Sequence, residues 1–352
     1  MKKHHNKPNL KQAFSIIEIA IVIVIIGILI VGIVKGKDLY IAAKSSTAKN
    51  LTTNSHIVRI KSLSTWHESS VTDFGLGDKL KDDSILRNWP DISPFGKALS
   101  RGHGSLVCSS VGNCKYIEDG ISNIPTVNFV NNAVFTGNTN FSAVDNYAVV
   151  LIFSLTNKTA NQRIVNIGNI SINYLVTGEK LSIFDGTNVS EVANFPTKCQ
   201  SVADSFVCAV IISKQTTDAA NNFIYVNSLN RETIQGSATL PSFGNSATLT
   251  IAGPAAVATG SIPALTNFSG NFSEIILFND YFSEKETKKL MTEYVSKKYS
   301  LFIRDNSQVA APAASSTGTG TGSGTTGTGS GTTGTGSGTG SGTTGTGSGT
   351  GS

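Results

Sequence analysis

Residues 14 to 34, FSIIEIAIVIVIIGILIVGIV, form a wall of isoleucine and valine broken by one charge, Glu18. About 20 apolar residues are enough to cross a bilayer as a helix. Hydrocarbon offers the backbone no hydrogen-bond partner, so a lone spanning segment is forced to be helical. The flanks orient it. Lys2, Lys3, Lys7 and Lys11 precede it with no acid among them, which predicts that this end stays cytoplasmic. The bulk of the chain then faces out. Glu18 needs a reason, because an ionised carboxylate in hydrocarbon costs a few kcal/mol and charges inside a membrane are functional by default.

A secretory signal peptide is cut after its apolar core, at small residues. Here Lys35, Gly36, Lys37 and Asp38 follow instead. A cut before the core fits better. KQA followed by FSIIEIAIVIVIIGILIVGIV resembles the amino terminus of type IV prepilins and pseudopilins. That pattern is a short basic leader, a small residue at the cut, and a Phe-led apolar helix with Glu as fifth residue of the mature chain. Counted from Phe14, the fifth residue is Glu18. The likeness spans residues 7 to 40. Where the family usually has glycine before the cut, this chain has Ala13.

The resemblance implies a basic leader over residues 1–13, cleavage between Ala13 and Phe14 by a prepilin peptidase, and methylation of the new amine. It implies that Glu18 pairs with the amino terminus of a neighbouring subunit and sets filament register. A buried carboxylate needs such a partner. The expected setting is a bacterial inner membrane crossed once, with the head periplasmic or extracellular. The implied partners are other pilin or pseudopilin subunits, and membrane lipid before assembly. Type IV pilus and type II secretion pseudopilus stay open as the destination. The plain alternative for Glu18 is a charge near the headgroups, snorkelling to water.

Between Lys37 and Thr65 there is no proline or glycine, and apolar residues recur at helical spacing. A transmembrane and stalk helix over 14–62, about 75 Å long, is therefore expected. From residue 63 the pattern changes. AVVLIFSL, RIVNIGN, FVCAVIIS, NFIYVNS, ATLTIAG and FSEIILFN are short, β-branched or aromatic runs between turn residues, as in a β-sandwich. A late helix begins at Ser283, with Glu286 completing a capping box.

LSTWHESS, ILRNWPDISPFGKAL and IPTVNFVNNAVFTG at the start, and FSGNFSEIILFNDYFSEKETKKLMTEYVSKKYSL at the end, resemble concanavalin A-like, laminin-G-like jelly rolls of bacterial surface proteins. This likeness spans residues 63 to 302. Trp66 and Trp89 fit as core or edge aromatics, and Asp91 fits the turn after Trp89. The expected fold class is α+β. A long amino-terminal helix carries an all-β concanavalin A-like head over 63–306 with a carboxy-terminal helix. Residues 315 to 352 contain only Ser, Thr and Gly, so a disordered tail is expected over 307–352.

Four cysteines, Cys108, Cys114, Cys199 and Cys208, fall in two close pairs. Outside the cytoplasm disulfides are expected; local pairing is the simplest of three connectivities, and spacing alone does not choose. The net charge of +5 comes mostly from the leader, so no basic footprint for nucleic acid is expected.

Catalysis is not expected. A glycosidase needs two carboxylates flanking the bond, and the E-x-D-x-x-E of glucanases of this fold is missing. Glu274 has no second acid two residues on, and His67-Glu68 lacks the second histidine of H-E-x-x-H. No cofactor is expected. Asp145 and Asp185 are the residues offered for calcium on ligand loops, although turns need such residues anyway. The first reading is thus a filament subunit, with a large head that suits a minor or tip position. The alternative is a membrane-anchored adhesin whose head binds glycans, and a glycan hydrolase stands behind both.

Overall fold

A computed structural model describes residues 16–305, apart from 95–104, 110–112, 131, 140, 143–144, 203–204, 238, 244–247 and 254–261. Ala13, Phe14 and the 307–352 tail lie outside the described residues. The amino-terminal helix runs over Ile16–Thr53, 38 residues, about 57 Å at 1.5 Å per residue. By length and composition it suits a membrane anchor or a signal sequence.

The helix stops short of the expected end at residue 62. Its last turns are rich in hydroxyls that bond back along the chain: Thr47 to the Ala43 carbonyl, Thr52 to Ala48 and Thr53 to Lys49. The side chain and amide of Asn54 both donate to Asn50 O. Such local bonds compete with further helix. Ser55 is extended, one 3₁₀ turn follows over His56–Arg59, and the first strand starts at Leu63.

The head is built on two sheets that are antiparallel throughout, save one short parallel pairing of Thr266–Asn267. In the first sheet the order is Gln200–Val202, Ser205–Lys214, Tyr147–Leu155, Gly270–Phe278, Thr126–Phe129, Cys114–Ile117; Leu63–Glu68 also pairs with Gly270–Phe278, and Phe223–Val226 with Ser205–Lys214. The second sheet runs Gln235–Gly236, Val189–Val192, Lys180–Phe184, Ile170–Leu175, Gln162–Ile167, Thr248–Ile251, Phe135–Asn138, Ser105–Cys108, Asn88–Pro90.

Alternation along the first sheet feeds two cores. Val149, Leu151 and Phe153, with Val210 and Ile212, point at the second sheet. Ala148, Val150 and Ile152, with Ala209 and Ile211, point at the helices. Both faces are covered, and every residue of Tyr147–Leu155 is buried. An unbroken apolar run is what double coverage requires of a strand. Gly270 permits a close approach of neighbouring strands: a Cβ there would meet Ser154 O at 2.0 Å. Trp66 and Trp89 are both buried. Asp91 Oδ1 accepts from the Trp66 and Ser93 amides at 2.9 and 2.8 Å, tying the first strand to the segment after Trp89.

The carboxy-terminal helix covers the first sheet. It opens with the capping box, Ser283 N donating to Glu286 Oε2 and Glu286 N to Ser283 Oγ. It continues through a π-helical turn over Leu290–Val295 into Ser296–Tyr299. The cysteines are bonded Cys108–Cys114 and Cys199–Cys208. The first bridge joins the two sheets, because its cysteines belong to one strand of each.

Candidate functional site

The amino-terminal helix changes character along its length. From Ile16 to Tyr40 every residue is exposed, Glu18 included. Beyond that, Ile41, Ala48 and Thr52 are buried against the head. Lys37 pairs with Asp119 at 3.1 Å, and Lys44 donates to Ser300 Oγ at 3.0 Å. The junction is closed by a buried charge cluster.

Glu68 on the first strand and Glu274 on the last lie directly opposite each other. Like charges so placed repel. A register shift between Phe272 and Glu274 creates the arrangement. Phe272 and Ile275 both face the second sheet, which simple alternation forbids. The bulge turns Glu274 out to the helix side, a common use of bulges. Lys298 answers both acids, with Nζ 2.7 Å from Glu68 Oε1 and 3.2 Å from Glu274 Oε2, and none of the three side chains is exposed.

Further donors complete the cluster. Trp66 Nε1, Tyr294 OH and Tyr299 OH each donate to Glu274 at 2.6 Å. The Ser70 and Val71 amides donate to Glu68. Burial, reinforced by Glu68, pushes Glu274 above the usual carboxylate range despite the pull of Lys298. Burial also raises Tyr294 and Tyr299, so both remain phenols able to donate. Thr52, near the end of the amino-terminal helix, accepts from Lys298 Nζ at 2.7 Å. A membrane-type helix and the head therefore share one hydrogen-bond network.

Beside it opens a cleft of about 570 Å³, with Asn50, Asn54 and His56 on one wall and Glu293 and Lys297 on the other. Burial foremost, then the charge of Lys289, lowers the His56 imidazole. On the first strand His67 is buried against Trp89 and held low by burial.

The loop candidates do not form a metal centre. Asp185 Oδ1 accepts from the Thr187 and Asn188 amides at 2.9 and 2.7 Å, closing the hairpin at FDGTN. Burial pushes Asp185 up, but these bonds outweigh it and hold it below the usual range. Asp145 is exposed, and its carbonyl accepts from Thr216 Oγ1. Among the described residues no three His, Cys, Asp or Glu side chains gather as metal ligands. The turn role is the one the geometry displays.

In the sequence Glu274 stands as an isolated acid and Glu68 only as part of an incomplete H-E-x-x-H; Lys298, which joins them, carries no motif. A usable signal was present: both terminal strands carry a glutamate, in TWHE and FSE, and the late helix carries Lys298 four residues after Tyr294.

No family profile matches the chain, and no curated protein does. Solved structures similar to it include Trypanosoma rangeli sialidase in complex with the inhibitor DANA, at 10% identity and TM-score 0.42, over 72% of this chain and 37% of that one. Another is NanB sialidase from Streptococcus pneumoniae, at 12% and 0.32, over 44% and 27%. The Ruminococcus gnavus IT-sialidase CBM40 aligns at 12% and 0.31, over 42% and 84%. The chain thus spans well under half the length of the sialidases it matches. Scores this low carry no argument about ligand or activity.

One expectation is corrected on chemical grounds. Catalysis was set aside because a carboxylate pair was missing. Glycan hydrolases do not all need two carboxylates: sialidases, the activity named for similar structures, use a tyrosine nucleophile. The missing pair therefore excludes nothing, and the expectation of a non-enzymatic head is withdrawn.

Proposed function

We propose that the chain is a subunit of a type IV pilus or type II secretion filament, a minor one by the size of its head. It is made as a single-pass inner-membrane precursor with a cytoplasmic leader. A prepilin peptidase cuts it between Ala13 and Phe14 and methylates the new amine. Its head is a concanavalin A-like jelly roll displayed outside the filament core. One observation carries the reading: a helix exposed and apolar all round from Ile16 to Val34, with a single carboxylate near its start, continues without a break into a half fastened to the head. A helix apolar on every side needs lipid or other helices around it. Glu18 then has two uses for its charge, a neighbour's amine in the filament and the headgroup region before assembly.

Mass spectrometry of the mature amino terminus is the direct test. A chain beginning at methylated Phe14 is expected, and one beginning at Met1 overturns the proposal. Glu18→Ala should still insert in the membrane but fail to enter filaments.

A further inference from the structure

The cleft beside the charge cluster opens to solvent. Its volume of about 570 Å³ falls within the range of about 300–1,000 Å³ usual for small-molecule sites. One wall is the end of the amino-terminal helix, with exposed Asn50 and Asn54, and half-buried His56 in the 3₁₀ turn that follows. The other is the carboxy-terminal helix, with exposed Glu293 and Lys297. Leu51 and Tyr294 lie between them. Tyr294 OH is already committed to Glu274 and Lys298, so the polar contacts of a ligand fall to the walls.

The wall groups are short of partners. Glu293 and Lys297 stand four apart on one helix, a spacing at which opposite charges usually meet. The π-helical turn over Leu290–Val295 bonds residues five apart and takes the two out of that alignment; such turns are frequent at functional sites. Glu293 leans to Lys289 instead, at 3.9 Å. Among the described residues Lys297 makes no ion pair and the His56 ring makes no hydrogen bond. Two lysines against one glutamate leave the cleft positive, and Arg59, in the same turn as His56, adds to it.

We propose that the cleft binds a small hydroxylated carboxylate, a sugar acid in size and chemistry, with its carboxylate on Lys297 and His56 and its hydroxyls on Asn50 and Asn54. An ammonium receives a carboxylate as a point charge. Side-chain amides both donate and accept, as hydroxyls require. Glu293 repels a second negative charge, which disfavours phosphate esters. One wall belongs to the amino-terminal helix and the other to the head, so a bound molecule ties the two together. Binding also moves a proton. Burial and then Lys289 hold His56 low, against the pull of Glu293. A carboxylate beside the ring favours its charged form, so affinity rises as pH falls. The inference does not depend on the filament reading, whose Phe14 and Glu18 tests stand apart.

The test titrates the full chain in detergent micelles with glucuronate, glucose and glucosamine, an anion, a neutral molecule and a cation of similar size. Glucuronate alone is expected to bind, several-fold more tightly at about pH 5.5 than at about pH 8, across the ordinary imidazole range. Lys297→Gln should weaken it about tenfold, the loss of one charged hydrogen bond. His56→Gln should remove the pH dependence. Thermal melts accompany both variants, and if His56→Gln unfolds the head, exposed Lys297 decides. Equal binding of glucose or glucosamine overturns the proposal. So does glucuronate binding that ignores pH or survives Lys297→Gln unweakened, and so does silence toward all three.

Discussion

The two halves of the amino-terminal helix are stabilised by opposite means. Over Lys35–Thr53 the head supplies the partners: Asp119 for Lys37, Ser300 for Lys44 and Lys298 for Thr52. Over Ile16–Val34 the described chain supplies no cover, and every residue is exposed. Isoleucine and valine are mediocre helix formers in water. Hydrocarbon changes the balance, because an unbonded backbone group there is far more costly than a constrained side chain. In the proposed membrane setting the first half is thus a helix made by its surroundings, and the second a helix made by tertiary packing. Their continuity lets a force on one reach the other.

The largest expected effect falls on the packed half. Lys298→Met leaves Glu68 and Glu274 buried and facing each other without a cation. Removing one partner of a buried ion pair costs about 3–5 kcal/mol. For a head of this size that lowers the melting temperature by about 6–20 °C. Replacing Glu68 and Glu274 by leucine as well should recover much of the loss, because an apolar substitute for a buried ionic triad is often neutral or better. A Lys298→Met protein that melts like the parent would show that the cluster does not hold the junction.

The next effect belongs to the other half. Ile25→Lys puts a charge at the middle of the apolar wall, at a cost of about 2.5–3.5 kcal/mol for insertion. Membrane recovery after carbonate extraction should fall, while the melting of the head is unchanged. If instead the head melts earlier, the first half is packed on it and the contrast between the halves is false.

How much of this was legible depends on the range of the interaction. The apolar wall, the capping box at Ser283 and the apolar strands AVVLIFSL and FVCAVIIS are local patterns, read from neighbours a few residues apart. The helix end at Thr53 was not legible. Thr47, Thr52, Thr53 and Asn54 stop it by back-bonding, a choice that helical spacing does not encode. The charge cluster was harder still. Trp66 and Glu274 stand 208 positions apart, and a bulge at Phe272–Glu274 decides which way the acid points.

The smallest effect tests how far the docked half depends on its outer contacts. Lys37 and Asp119 are both substantially exposed, and exposed pairs contribute about 0–1 kcal/mol and weaken with salt. Lys37→Ala should therefore shift the melting temperature by no more than about 4 °C at low ionic strength, and by less in high salt. The pair is nevertheless the contact closest to the apolar wall. Hydrogen exchange of amides 35–45 should quicken in the variant, while those near Thr52 keep their protection. Faster exchange at both ends would mean that docking propagates from Lys37 inward. The buried cluster would then be a consequence of docking, and its role as the anchor would pass to the exposed pair.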